Sequence, residues 1–429
     1  MRKRSYSATK TRPAVPVADR TAAIHLSPHQ WSDIVQYLTA EELKALRLAG
    51  SRDVPLADPS LTCHLQLRMD KAPFFSANDM FLVSQARKWL TNRQALVIND
   101  VAPKICPNRV AYLVGNGFLD SVSQIVIFDC HLHRVLFSLL SQLPNLESLR
   151  LASHASDQGK LLDDLEAMVA NVGKMLRLKK LDIEFDCVIH GSRLSFLRKL
   201  HSLEHLRLRG FDLSDGITSM GGLIKLNYLH LCHGNFYSSP SNDVNEKDLL
   251  NLMALTNLKQ VHLEGFDALS DIGLKAFSNK SASIQNLGLK HCQDLSEECL
   301  PSLGQMTHLT SLHFVNSAYD EVPIFDDECL HYLNALVKLE SLSLFYVLED
   351  LSDLRELWGL ESLQTLNIAF DETMTIDAVQ KLCQTISPIF GSLQKLRIFS
   401  EEGMNSSFRI GAIQVEFAPF TFGDLVYLG

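Results

Sequence analysis

One arrangement of apolar positions recurs along most of the chain: an apolar residue, two variable ones, a second apolar residue, one variable, and a third. It occurs as Leu146-Leu149-Leu151, Leu178-Leu181-Ile183, Leu203-Leu206-Leu208, Leu226-Leu229-Leu231 and Leu258-Val261-Leu263. It continues as Ile284-Leu287-Leu289, Leu309-Leu312-Phe314, Leu339-Leu342-Leu344, Leu363-Leu366-Ile368 and Leu393-Leu396-Ile398. Two looser copies come first, Val122-Ile125-Ile127 and Leu96-Ile98 with Arg93 in the opening slot. Eleven steps span the 300 residues from Ile98 to Ile398, so about twelve copies repeat with a mean period of about 27. The last two apolar positions are two apart and point to one side of a short strand. Between copies the spacing turns helical, as in LLDDLEAMVANVGKML (161–176), KDLLNLMAL (247–255), DIGLKAF (271–277) and TIDAVQKLCQTI (375–386). A strand and helix of this length cannot bury their own apolar face, whereas stacked copies can. The pattern predicts an α/β solenoid over residues 93–429: a curved, horseshoe-like row of parallel strands inside and helices outside, closed by a C-terminal cap at FAPFTFGDLVYLG. The steps range from 23 to 32 residues, and the longer ones carry added loop at 235–247 and 317–327.

Residues between the strand leucines alternate to the opposite face. The middle slot holds Arg150, Asp182, Arg207, His230, His262, Gly288, His313, Ser343, Asn367 and Arg397. The slot before adds Lys180, His205, Tyr228 and Gln260, and the slot after adds Arg209, Glu264 and Lys290. Stacking should gather His205, Arg207, Arg209, Tyr228, His230, His262, Lys290 and His313 into a basic, ring-rich patch on the inner face. Such a patch suits a protein substrate offering an acidic or phosphorylated segment, because Arg forks match carboxylate and phosphate. An ordinary solvated polar lining is the alternative reading.

The repeat is absent from residues 26–61, LSPHQWSDIVQYLTAEELKALRLAGSRDVPLADPSL. Trp31, Ile34, Val35 and Leu38 fall at helical spacing. Thr39 precedes Glu42 by three, a capping-box signature, and Leu43 and Leu46 give the next helix its apolar side. Ser51 can cap a third short helix with Pro55 in its first turn. Three helices in so few residues bury little surface alone, which leaves room for a partner to complete them. NDMFLVSQARKWLTNR (78–93) reads as one further helix joining this segment to the repeats.

The repeats resemble leucine-rich repeats, with LGLKHCQDLSEECL (287–300) matching the cysteine-containing subtype. Residues 26–61 resemble an F-box. Leu26, Ile34, Val35, Tyr37, Leu38, Glu42, Leu43, Leu46, Arg47, Leu48 and Asp58-Pro59-Ser60-Leu61 stand at that family's spacing. Ser27 replaces its proline, with Pro28 displaced by one, and Thr62 replaces its closing Trp. The resemblance implies four parts: a basic tail (1–23), an F-box-like three-helix domain (24–68), a linker helix (69–92) and the repeat domain (93–429). It implies a non-catalytic substrate receptor of an SCF-type ubiquitin ligase. In that role Leu26, Pro28, Trp31, Ile34, Val35, Leu38, Leu43 and Leu46 would meet a Skp-type adaptor tied to a cullin, and the repeats would hold the substrate. The alternative is a stand-alone repeat scaffold or inhibitor unconnected with ubiquitination, its helical segment only capping the solenoid.

Charge and composition narrow the partners. Net charge is −9, yet residues 1–20 carry six Lys/Arg against Asp19, leaving the rest at −14. So acidic a body does not suit nucleic acid, which needs a continuous basic surface. The tail reads either as a nuclear-import or transit signal or as a solvated leader with no address. No apolar run reaches the ~20 residues of a membrane-spanning helix. The nine scattered cysteines, none at CxxC spacing, point to a reducing compartment, cytoplasmic or nuclear. No phosphate-cradling glycine loop and no HExxH is present, and no cofactor or metal is expected. Cys130-His131-x-His133, Cys232-His233 and His291-Cys292 read as buried residues at repeat corners, without a second ligand pair at zinc spacing.

Overall fold

The structure is a computed structural model; it describes strands at Leu65–Gln66 and Ala95–Asn99 and, with breaks at several loops, residues 111–419. The chain divides into two compact units, Met1–His64 and Leu65–Gly429, and every described residue belongs to the second. The basic tail, the linker helix, Cys130-His131-x-His133 and the F-box-like segment with all eight of its expected adaptor contacts lie outside the described residues.

Fifteen strands form one open sheet: β1 (Leu65–Gln66), β2 (Ala95–Asn99), β3 (Gln124–Phe128), β4 (Ser148–Ser153), β5 (Lys180–His190), β6 (His205–Asp212), β7 (Tyr228–His233), β8 (Gln260–Glu264), β9 (Asn286–Lys290), β10 (Ser311–Val315), β11 (Ser341–Phe345), β12 (Thr365–Ala369), β13 (Lys395–Ser400), β14 (Ser406–Ile410) and β15 (Ile413–Pro419). β1 to β13 pair in chain order, all parallel, and β15 then pairs with β13. β14 lies antiparallel to β15 at the edge. The apolar slots lock in register: Leu149 opposite Leu181, Leu181 opposite Leu206, and so on to Leu366 opposite Leu396. This is an α/β parallel-strand repeat solenoid.

The sheet starts earlier and ends later than the repeat pattern predicts. Leu65 pairs with Leu96, so β1 lies within the 24–68 span expected to be helical. Val415 and Phe417 extend the ladder opposite Leu396 and Ile398, taking up the first residues expected to cap it.

Strand leucines such as Leu181, Leu206, Leu229, Leu342 and Leu366 are buried, in one core running from β3 to β15. Burying each contributes ~1.5–3 kcal/mol. The other layer is only partly α-helical. Helices α1 (Arg134–Leu140), α2 (Asp271–Ser278), α3 (Leu300–Gly304) and α4 (Ile376–Ile386) alternate with 3₁₀ segments such as Gly191–Lys199, Leu330–Ala335 and Leu351–Leu357. A 3₁₀ turn rises ~2.0 Å per residue against ~1.5 Å in an α-helix, so it returns the chain with fewer residues. The expected helix at 247–255 is accordingly 3₁₀ over Asn251–Ala254. Helix α2 is capped by Ser270, whose Oγ accepts from Gly273 N at 3.2 Å, and Asp271 sits at its positive end.

A side-chain ladder ties several repeats to the one before. The residue just ahead of the first apolar slot reaches back to a carbonyl two ahead of the same slot in the preceding repeat. Asn145 donates to Asp120 O (2.7 Å), Arg177 to Pro144 O (2.7 Å), Asn257 to Ile224 O (2.6 Å), Ser283 to Thr256 O (3.1 Å) and Ser362 to Val337 O (2.6 Å). At the other end of the strands, Gly210, Gly265, His291 and Tyr346 share one slot and all take positive φ. There the Gly265 amide donates to Lys290 O (2.8 Å) and that of His291 to Val315 O (2.9 Å), adding a bond to the next strand.

Candidate functional site

The face opposite the leucine core carries three rows of side chains set by strand register. The middle row runs Asp182, Arg207, His230, His262, Gly288, His313, Ser343, Asn367, Arg397 across β5 to β13. All eight expected substrate-facing residues lie on this face, within β6 to β10.

The patch is less basic than the slot reading implies. Arg150 Nε stands 3.3 Å from Asp182 Oδ2, and Arg207 Nη1 lies 3.9 Å from Asp182 and 3.8 Å from Glu184. Arg209 Nη1 reaches Glu184 Oε1 at 3.3 Å. Two strands on, Lys290 Nζ bonds Glu264 Oε1 at 2.8 Å, with His230 Nε2 3.7 Å from the other carboxylate oxygen. Each cation of the patch thus already faces a carboxylate. Glu184, two residues past Asp182 on the same strand, is the acid the slot reading leaves out.

The two acid sites differ electrostatically. Burial works against the Glu264 carboxylate, but the adjacent His230 ring and the hydrogen-bonded Lys290 ammonium outweigh it, holding this carboxyl well below the usual range. Around Asp182 burial wins over the more distant Arg207 and Arg150, and its pKa is raised. Asp182 Oδ1 and Arg207 Nε are buried without hydrogen-bond partners, in side chains of residues only 5% and 8% exposed.

The rings form a continuous row. His205 and Tyr228 stack in parallel, with centroids 3.9 Å apart and planes within 5°. Tyr228 lies 5.8 Å from His262, His230 5.6 Å from His262, and His262 6.4 Å from His313. The His262 ring fills the space above Gly288, where a Cβ would come within 2.3 Å of its Nδ1. Burial, then the Lys180, Arg207 and His230 charges, lowers the His205 pKa to about 3. Burial, then the His230, His313 and Arg207 charges, lowers that of His262 to about 3. Burial alone lowers His313 to about 4. His205, Tyr228 and His262 are part-exposed, whereas Arg207, His230, Lys290 and His313 are buried.

Beyond β9 the middle row closes. His313 Nδ1 lies 2.7 Å from Ser343 Oγ, which accepts from Asn367 Nδ2 at 2.9 Å; Ser343 and Asn367 are 1% exposed. Alongside them Val315, Phe345, Ala369 and Phe399 form a small apolar cluster. Arg397 and Lys395 both pair with Glu416, at 3.1 and 2.8 Å.

Cys292 is buried at a repeat corner, its Sγ 3.6 Å from Lys290 O, and Cys232 and His233 are buried as well. His233 Nδ1 accepts from Leu213 N at 3.1 Å. Among the described residues no cluster of three His, Cys, Asp or Glu could hold a metal ion, and no helix is long and apolar enough to cross a membrane.

No protein family's sequence pattern matches this chain, and no curated protein matches it. Among solved structures, the crystal structure of the yeast Rad7 and Elc1 complex contains a chain 16% identical with a TM-score of 0.42, covering 78% of this chain and 91% of that one. The octameric complex of latrophilin 3, Unc5D and the leucine-rich-repeat protein FLRT2 contains another, 17% identical with a TM-score of 0.37, covering 73% and 86%. At these TM-scores neither likeness carries an argument about function.

Proposed function

We propose that this chain is a non-catalytic, cytoplasmic or nuclear substrate receptor of an SCF-type ubiquitin ligase, built as an F-box-like module followed by a leucine-rich-repeat solenoid. In this reading the apolar helical face of residues 24–68 (Leu26, Trp31, Ile34, Val35, Leu38, Leu43 and Leu46) meets a Skp-type adaptor on a cullin. The sheet face of β6 to β8 takes a protein substrate. The F-box spacing of residues 26–61 supports the first half. The observation carrying the second is the part-exposed ring row His205, Tyr228 and His262, in which His262 lies open in the middle row where His313, Ser343 and Asn367 of β10 to β12 are buried.

An acidic or phosphorylated segment reaches the Arg207 and Arg209 guanidinium groups only by displacing Asp182 and Glu184. The double variant Arg207→Glu, Arg209→Glu tests that form of the reading, and unchanged substrate capture removes it. The ligase assignment is tested by pulldown with a Skp-type adaptor, comparing the intact chain with one lacking residues 24–61. Capture by the intact chain alone supports it; capture by both or by neither leaves the stand-alone scaffold.

A further inference from the structure

We infer that the ring row His205–Tyr228–His262 is a docking platform for an uncharged, extended segment of a partner protein presenting proline or aromatic side chains. The inference rests on the reading that this face receives a protein segment, and it names the chemistry of that segment.

Three observations carry it. The first is charge. Arg150, Arg207, Arg209 and Lys290 already face Asp182, Glu184 and Glu264 at 2.8 to 3.9 Å. An incoming anion reaches those four groups only by displacing a carboxylate held by its own chain. An incoming cation meets four like charges. A neutral segment does neither, so charge complementarity favours it. The rings keep the same character at neutral pH, since His205 and His262 are uncharged there.

The second is what is open to contact. Arg207, His230, Lys290 and His313 are buried and the part-exposed Arg209 is held to Glu184, while the part-exposed row offers ring surface: the parallel His205–Tyr228 pair on β6 and β7, and His262 on β8. Flat ring faces bind other rings and the pyrrolidine of proline, and aromatic-lined surfaces are a recurring seat for proline-rich segments. The dimensions agree. The ring centroids lie 3.9 Å apart from His205 to Tyr228 and 5.8 Å apart from Tyr228 to His262, so His205 and His262 are separated by no more than the two spans together. A polyproline II segment rises ~3.1 Å per residue with three residues per turn, so its every third side chain recurs after ~9.3 Å. Laid along the ring row, oblique to the strands, such a segment sets residues i and i+3 over His205 and His262.

The third is Gly288. A methyl group there would collide with the His262 ring, so the absent side chain is what lets this ring lie across β9 toward His313. Gly288 has no positive φ, so the glycine serves the ring and not the backbone.

The test is selection of random displayed 12-residue peptides on the full chain, with parallel selections on Tyr228→Ala and Gly288→Ala. The expected pool is enriched in Pro and aromatic residues and depleted in Asp and Glu. Synthetic peptides from it should lose at least about tenfold in affinity on both variants, keep it on Tyr228→Phe, and vary less than about twofold between low and high salt, as an uncharged contact should. Thermal unfolding of each variant beside the parent separates lost binding from lost fold, and Tyr228→Phe retains the ring should Tyr228→Ala unfold. A pool rich in Asp, Glu, Lys or Arg whose binding depends on Tyr228 overturns the neutral segment but keeps the docking face. A pool indifferent to both variants, or no enrichment, overturns both.

Discussion

Replacing Lys290 with Met should open the sheet locally at β8 and β9. Lys290 Nζ lies 2.8 Å from Glu264 Oε1, and the two side chains are 11% and 6% exposed. Met keeps the volume and removes the charge, leaving the Glu264 carboxylate buried with the His230 ring 3.7 Å away. Removing one member of a buried pair typically costs about 3–5 kcal/mol, because the survivor keeps its desolvation penalty. His230 offsets part of this, so about 3 kcal/mol is expected. A repeat array transmits such a loss mainly to adjacent units. Native-state hydrogen exchange should therefore quicken about 100-fold at the amides of β8, β9 and Gly265, whose N–H bonds Lys290 O, at about 1.4 kcal/mol per factor of ten. Amides of β12 and β13 should not change. The double variant Lys290→Met, Glu264→Gln removes both charges and should recover to within about 1 kcal/mol of the parent. Exchange at β8 unchanged in the single variant, or a double variant no better than the single, would refute the argument.

Stability should fall as pH drops from about 6.5 toward 4, followed by urea midpoints across the range. His205, His262 and His313 have folded pKa values of about 3, 3 and 4 against 6.5 unfolded, so in this window the unfolded chain binds the extra protons. Their contribution is present above 6.5 and lost on acidification at up to about 1.4 kcal/mol per pH unit for each ring, and His262→Gln should flatten the slope. Leu342→Ala, at a core position with no exposure, should cost about 2–5 kcal/mol by chemical denaturation without altering the polar face. Iodoacetamide at pH 8 should spare Cys232 and Cys299 in the folded protein, since burial raises both thiols, and label them once it unfolds, as mass spectrometry would show.

Most of the strand ladder is legible in the leucines. A triplet spaced three and two fixes which side chains share a face, and the observed pairing of Leu181 with Leu206 and Leu344 with Ile368 follows. What the leucines miss has physical causes. β1 is two residues long, and Phe417, the β15 partner of Ile398, comes 19 residues after it through an antiparallel hairpin, well short of a repeat. Short 3₁₀ and α segments bury nearly the same spacing, so their apolar pattern does not tell them apart. Alternation places Arg207, His230 and His313 on the outward face, yet it does not show what lies over them, and their burial comes from the assembled structure. Nor does it show that Glu184 and Asp182 hold the arginines, which depends on side chains meeting across strands 25 residues apart.

Every strand of the parallel run touches only its sequence neighbours, and the Asn, Ser and Arg donors reach back one unit and no further. Held at its two ends and stretched, such a molecule should therefore unspool in small instalments. Each peeled unit of roughly 27 residues would release ~90 Å of slack at ~3.4 Å per residue, giving a sawtooth of modest, evenly sized rips in place of one abrupt rupture.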